Sequence, residues 1–187
     1  MDILKNFFEE STMVTIIVLL WLSAYFLITL WIYIYKSFVL SEWLTSEKYQ
    51  LDMLLTQSIS VSKNAFINTL LEKRNGEISK EILQVWKFKA TQKATSFLVV
   101  LNVIASTAPF IGLFGTVVEI LETFRVLGGG NVSFDIIAPV ISKALVATAA
   151  GILVAIPAYS FALLLKRKAY HIINCIQMQI DLMLSNK

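Results

Sequence analysis

Thr116 and Thr148 each place a hydroxyl group inside a long apolar stretch of the sequence. A hydroxyl both donates and accepts hydrogen bonds, so in a membrane it can bind water, a carboxyl group or its own helix backbone. At 3.6 residues per turn, each threonine shares a helical face with small residues. These are Ala105, Pro109 and Gly112 in the first stretch, and Ala144, Ala147, Gly151, Ala155 and Ala158 in the second. The pattern predicts either tight helix packing, with each threonine bonded to its own helix, or the wall of a pore or partner surface.

The composition indicates an integral membrane protein. Hydrophobic residues make up 57% of the 187 residues, charged residues only 16%, and the mean hydropathy is +0.71. The uncharged runs 11–35, 94–118 and 144–165 each provide the ~20 residues that cross a bilayer. We predict an all-α protein with three transmembrane helices, and the acidic N-terminal segment is expected to be retained, since secretory signals begin with positive charge.

The distribution of Lys and Arg predicts the topology. Nine of them lie in residues 36–93 and four more in the tail 166–187, whereas the N-terminus and the loop after the second helix hold one each. Positive charge marks the cytoplasmic side. The predicted segments are an external N-terminus and first membrane helix (1–35), a cytoplasmic helical hairpin (36–93), a second membrane helix (94–118), an external loop (119–140), a third membrane helix (141–165) and a cytoplasmic C-terminal helix (166–187).

The cytoplasmic hairpin is predicted from one turn signal, Asn75-Gly76. The first helix is expected to run towards this turn, and a second helix from about Ser79 to run back unbroken into the membrane. Acidic residues such as Glu47 are interspersed with the basic ones, as on a solvated helical surface, so the net charge of +3 does not indicate nucleic-acid binding. The tail, with Ile176 and Ile180 on one face, is expected to extend the third helix.

Catalytic and metal-binding signals are weak. His171 and Cys175 lack partners at metal-ligand or triad spacing, and packing or surface roles are expected for both. The glycines 128–130 lack the Lys-Ser/Thr of a phosphate loop and are interpreted as an external turn. We therefore predict no enzyme activity, cofactor or metal.

The two small-residue helices contrast with the first membrane helix, which is bulky all round, with aromatic residues such as Trp21 and Trp31. A ring of several copies would place this helix outside, facing lipid, and the small-residue faces inside. A compact three-helix monomer is the alternative. The ring is favoured because a monomer does not need matched small faces on two helices.

The segment 107–116, TAPFIGLFGT, followed by Ala138-Pro139, by 144–151, ALVATAAG, and by 155–158, AIPA, resembles the ExbB/TolQ/MotA proton-channel family over about residues 106–168. The short N-terminus is more similar to TolQ than to ExbB. The resemblance implies a bacterial inner-membrane homopentamer that encloses a single-span dimer of the ExbD/TolR type, works with a TolA or TonB type energy transducer and is driven by protons. It also implies that Thr116 and Thr148 face the pore and that an aspartate of the partner carries the proton.

The sequence departs from this family at two positions. Lys143 stands where the ExbB and TolQ members carry a glutamate, and Glu119 where a glycine is usual. We predict that the two form an ion pair near the outer mouth; the alternative is that Lys143 extends to water while Glu119 caps the helix end.

Two other functions remain open. A non-transporting membrane scaffold leaves the threonines without a role, and a membrane enzyme would need catalytic groups that the sequence lacks.

Overall fold

The computed structural model describes residues 13–55, 80–127 and 134–185, and these form four α-helices. Three stretches, Met13–Met53, Lys80–Arg125 and Ile137–Leu184, are long and apolar enough to cross a membrane. The predicted all-α fold is confirmed, and so is the presence of three helices able to cross a membrane. The ring and the cytoplasmic hairpin remain predictions, and the Asn75-Gly76 turn and glycines 128–130 lie outside the described residues. The helices are α1 (Met13–Leu55), α2 (Lys80–Thr95), α3 (Leu98–Leu127) and α4 (Phe134–Ser185).

The first and third membrane helices continue past their apolar runs, as the sequence analysis expects. α1 continues beyond residue 35 to Leu55, and α4 continues beyond residue 165 to Ser185. Residues 119–127 and 134–140, assigned to an external loop from the sequence, are helical. The division of the chain into membrane segments and an external loop remains a prediction. Neither Glu119 nor Pro139 ends a helix here.

The chain forms two compact units, and the first contains residues 1–32 and 100–162. Its described part is a three-helix core from α1, α3 and α4. Bulky residues of α1 pack against small residues of α3 and α4, while Trp21, Trp31 and Phe110 are exposed. Large exposed apolar side chains are expected where lipid or other membrane helices cover the surface. The buried core comprises Val18, Leu22, Ile104, Ala108, Ala147, Val154, Ala155 and Ala158.

The second unit contains residues 33–99 and 163–187, and its core also draws on three helices. Ile176 and Ile180 are buried in it, as the tail's apolar spacing predicts. Glu47, by contrast, is only 2% exposed, so its predicted position on a solvated surface is wrong. Its carboxylate accepts hydrogen bonds from Gln179 Nε2 and Trp43 Nε1, both at 2.9 Å, which offset the loss of water. The core comprises Leu40, Leu83, Trp86, Ala90, Ala94, Ala169, Ile172, Ile176 and Ile180.

A break separates α2 from α3 at residues 96–97, where an unbroken helix was predicted. Phe97 has a φ of 69°, in the left-handed region that favours glycine. Lys36 of α1 stabilises this break: its ammonium donates to the Lys93 carbonyl at 3.0 Å and to Ser96 Oγ at 2.5 Å. It also lies 5.5 Å from the centroid of the Phe97 ring. The prediction failed because the break depends on a distant lysine and has no glycine or proline to signal it.

Candidate functional site

The functional region of the first unit begins with the close approach of α3 and α4. A Cβ atom added to Gly112 would lie 2.6 Å from the Ala147 carbonyl oxygen, and one added to Gly151 would lie 2.6 Å from the Ala108 carbonyl oxygen. Both distances are too short for any side chain, so these positions require glycine. Because Ala108 lies opposite Gly151 while Ala144 lies opposite Thr116, the two helices are antiparallel.

The predicted small-residue face divides into two parts in this structure. Its buried members are Gly112, Ala144, Ala147, Gly151, Ala155 and Ala158, and of these Gly112, Ala147 and Gly151 lie where α3 and α4 pack. Ala105 and Pro109 are half-buried. Ala105 and the edge of Ala155 line an open groove of about 500 Å³. The other lining residues are Asn102, Ser106, Ile156, Tyr159 and Ser160.

Thr116 and Thr148 meet directly between α3 and α4. Their hydroxyl oxygens lie 2.5 Å apart, and Thr116 Oγ1 also donates to the Ala144 carbonyl at 3.1 Å. Thr116 is buried, whereas Thr148 is half-buried and keeps part of its side chain accessible. The two hydroxyls therefore form one polar pair across the helix contact instead of bonding only to their own helices.

Glu119 lies one turn beyond Thr116 on α3 and is also buried, at 5% exposure. Its carboxylate accepts a hydrogen bond from the hydroxyl of Thr15 on α1, which is itself 2% exposed. The alternative in which Glu119 caps the end of its helix is wrong, because α3 continues to Leu127. A buried, hydrogen-bonded carboxylate thus joins the threonine pair in the same unit.

Lys143 lies on α4 at about the level of this carboxylate. Thr116 contacts Ala144, the residue next to Lys143. At 1.5 Å per residue, Glu119 is about 4.5 Å along α3 from Thr116, and Lys143 about 1.5 Å along α4 from Ala144. Since the helices are antiparallel, both displacements point the same way. The half-buried position of Lys143 is compatible with the predicted ion pair, which remains a prediction.

The sequence did not single out Thr15, the partner of Glu119. A usable signal exists, because Thr15, Leu22 and Thr29 follow one another at intervals of seven residues and all are buried. A heptad interval keeps residues on one helical face, so two threonines on that face of α1 predict a polar contact with the neighbouring helices. The hydroxyl of Thr29 has no hydrogen-bond partner among the described residues.

His171 is exposed and Cys175 is a buried free thiol, both in the second unit. These positions fit the surface and packing roles expected from the sequence. Within residues 13–55, 80–127 and 134–185, no group of three or more His, Cys, Asp or Glu side chains is placed to hold a metal ion.

Three membrane-capable helices with hydroxyls and a carboxylate buried among them define a multi-pass membrane protein with a polar interior. A sequence profile of the MotA/TolQ/ExbB proton channel family matches residues 56–178. The chain therefore belongs to this family, in its ExbB/TolQ branch, as the motifs around Thr116 and Thr148 predict.

Relatives in Helicobacter pylori are similar over their whole length. The putative biopolymer transport protein ExbB-like 1 of Helicobacter pylori strain J99 is 51% identical over 190 residues, covering 100% of this chain and 99% of that protein. The Tol-Pal system protein TolQ of Haemophilus influenzae is 48% identical over 59 residues, 31% of this chain and 26% of that protein. The biopolymer transport protein ExbB of Neisseria gonorrhoeae is 55% identical over 56 residues, 29% of this chain and 26% of that protein.

Proposed function

We propose that this chain is the ring-forming subunit of a proton-driven motor in the bacterial inner membrane. Five copies enclose the membrane helices of a dimeric single-span partner of the ExbD/TolR type. Proton flow between ring and partner then drives a TolA or TonB type transducer that acts on the cell envelope. Membership of a proton channel family supports this function, as do relatives named for biopolymer transport and for the Tol-Pal system.

The observation that carries the proposal is the set of polar groups buried between apolar helices. Thr15 contacts Glu119, and one turn away Thr116 contacts Thr148. Polar groups are unfavourable in a membrane interior and usually mark an ion or proton pathway there. Thr148 is half-buried, and in the assembled ring we expect its hydroxyl to hydrogen-bond the partner's aspartate or the water bound to that aspartate.

We assign the partner-facing wall to the groove between α3 and α4. Thr148 and Ala155 are seven residues apart, so they share a face of α4, and Ala155 lines the groove together with Ala105. Its hydroxyl, amide and phenol groups at Ser106, Asn102 and Tyr159 suit water or a polar helix better than lipid. The residues packed deeply between the helices hold this wall together.

The orientation that we propose has an external N-terminus and a cytoplasmic C-terminus. Lys36 bonds to the end of α2, and Lys168 of α4 donates to Ser37 Oγ at 2.9 Å and to Ser41 Oγ at 2.8 Å. Basic groups from α1 and α4 thus gather around residues 36–41 of α1 in the second unit. Such clustering supports a cytoplasmic position at the lipid headgroups.

The test is purification of the chain with a single-span protein encoded beside it that bears one Asp in its membrane helix. We expect five copies around two partner helices, and proton flux into vesicles that disappears when the partner's Asp is changed to Asn. An empty or lipid-filled ring in energised membranes, or absence of flux, would overturn the proposal and leave the scaffold function. Adjacent TolA, TolB and Pal genes support the Tol-Pal role that we favour; an adjacent TonB gene supports nutrient uptake.

A further inference from the structure

Glu119 is an acidic group that belongs to the subunit itself. It is 5% exposed, and the Thr15 hydroxyl that donates to it is 2% exposed. Among the described side chains of the first unit, the other acid is Glu122, which lies in the next turn and is exposed. Glu119 therefore differs from Glu122 in two ways: it is buried, and it contacts a second helix.

Among the described side chains of the first unit, the charged groups near Glu119 in sequence or in level belong to α3 and α4. On α4, Lys143 lies at about the same level; on α3, Glu122 and Arg125 are exposed. The part of α1 that belongs to this unit contributes Thr15 and no charged residue between positions 13 and 32. The group in direct contact with the Glu119 carboxylate is the Thr15 hydroxyl, which can exchange the role of donor for that of acceptor.

We propose that Glu119 is a proton-accepting site of this subunit and that Thr15 is its positioning residue. The proposal rests on the function proposed above, because it concerns how protons reach the threonine pair. A hydronium ion on the external side transfers a proton to one carboxylate oxygen: an O–H bond of hydronium breaks, the O–H bond of the acid forms, and water is left. Thr15, which donates to the ionised carboxylate, then rotates to accept from the neutral acid. On release the acid's O–H bond breaks, a water molecule takes the proton as hydronium, and the carboxylate returns.

The protonation state of Glu119 determines the direction of its hydrogen bond with Thr15 on α1. While Glu119 is ionised, the Thr15 hydroxyl proton points towards the carboxylate, and protonation reverses this hydrogen bond. Each change in protonation therefore alters a contact between α1 and α3. The family resemblance places the proton carrier on the partner and a glutamate at the position of Lys143, whereas in this chain the buried acid is Glu119 on α3.

The experiment is infrared spectroscopy of the full chain, purified with its partner and reconstituted in lipid, during a pH titration. A protonated carboxyl group gives a C=O stretching band that an ionised one lacks. We expect a titrating band that Glu119→Gln removes and that Glu122→Gln, the control on the exposed side of the same helix, leaves in place. Thr15→Val should move this band to higher frequency because the hydrogen bond is lost, and Thr15→Ser should restore its position.

An unchanged titration in Glu119→Gln would overturn the inference, and so would a band that Thr15→Val leaves unshifted. These results are separable from the proposed function. Proton flux in vesicles together with an unaltered Glu119→Gln spectrum rejects this site alone. A Glu119-dependent band in a complex that conducts no protons rejects the motor function while the proton-accepting site stands.

Discussion

The hydroxyl oxygens of Thr116 and Thr148 lie 2.5 Å apart across the contact between α3 and α4. Replacing Thr148 by Val keeps the shape of the side chain and removes its hydroxyl. We expect assembly to survive and proton conduction in reconstituted vesicles to fall about five-fold, the rate equivalent of losing a hydrogen bond worth ~1 kcal/mol.

Thr107→Val is the matched control for this change. The Thr107 hydroxyl donates to the Val103 carbonyl of its own helix at 2.7 Å. Its removal should leave conduction near that of the wild type. Equal conduction by Thr148→Val and the wild type would count against a role for the threonine pair in proton transfer.

The glycines of the same contact give a prediction about stability. Ala at position 112 or 151 would bring its Cβ to 2.6 Å from a backbone oxygen of the other helix, which cannot move without separating the helices. We expect Gly112→Ala and Gly151→Ala each to destabilise the protein by about 1–3 kcal/mol, measured by thermal unfolding in detergent.

Gly115→Ala provides the comparison. Its Cβ would meet side-chain atoms, the nearest being Val18 Cγ1 at 3.1 Å, and the Val18 side chain can shift. Its effect should therefore be smaller than that of the other two substitutions. An equal loss of stability at all three positions would show that general crowding between helices, and not contact with the backbone, causes the destabilisation.

Sequence alone predicted which helices exist and which faces are small, because apolar runs and residue spacing are local properties. It left two interpretations of those faces open. Which interpretation applies at Gly112 and Gly151 depends on the distance between α3 and α4. The residue pattern of a single helix does not give that distance. The Lys36 contact at the end of α2 and the Thr15 contact with Glu119 were missed for the same reason: each joins residues far apart in the chain.

The predicted ion pair between Glu119 and Lys143 can be tested by exchanging their charges. Glu119→Lys and Lys143→Glu should each reduce proton-dependent function, since two like charges would then occupy the same level between α3 and α4. The double exchange restores one acid and one base, and we expect most of the activity to return. A double mutant no better than the single mutants would reject the pair.

The buried contact between Gln179 and Glu47 predicts non-additive effects in the second unit. Gln179→Leu removes the 2.9 Å hydrogen bond and leaves the buried carboxylate with fewer donors. We expect a loss of about 1–3 kcal/mol, whereas Gln179→Leu combined with Glu47→Leu should lose less than the sum of the two single changes, because no buried carboxylate is then left and only the Trp43 Nε1 donor loses its partner.

Gln177→Leu serves as the control for that cycle. The Gln177 amide donates to Asp181 of its own helix at an exposed site. Its loss should change the unfolding midpoint little. Strictly additive losses in the Gln179 and Glu47 double mutant would argue that the two side chains do not interact.

At the break, we expect Phe97→Gly to be more stable than Phe97→Ala, the reverse of the usual order of these two residues in a helix. Both Phe97→Ala and Phe97→Gly remove the ring that Lys36 approaches, but only glycine adopts a φ of 69° without strain. Phe97→Gly should therefore be more stable than Phe97→Ala by about 1 kcal/mol. At Phe88, an exposed position inside α2, the order should be opposite by about 1 kcal/mol, because glycine weakens a helix interior. Denaturant midpoints of the four variants measure both differences. If alanine is the more stable residue at both positions, the left-handed conformation at Phe97 does not hold in the protein.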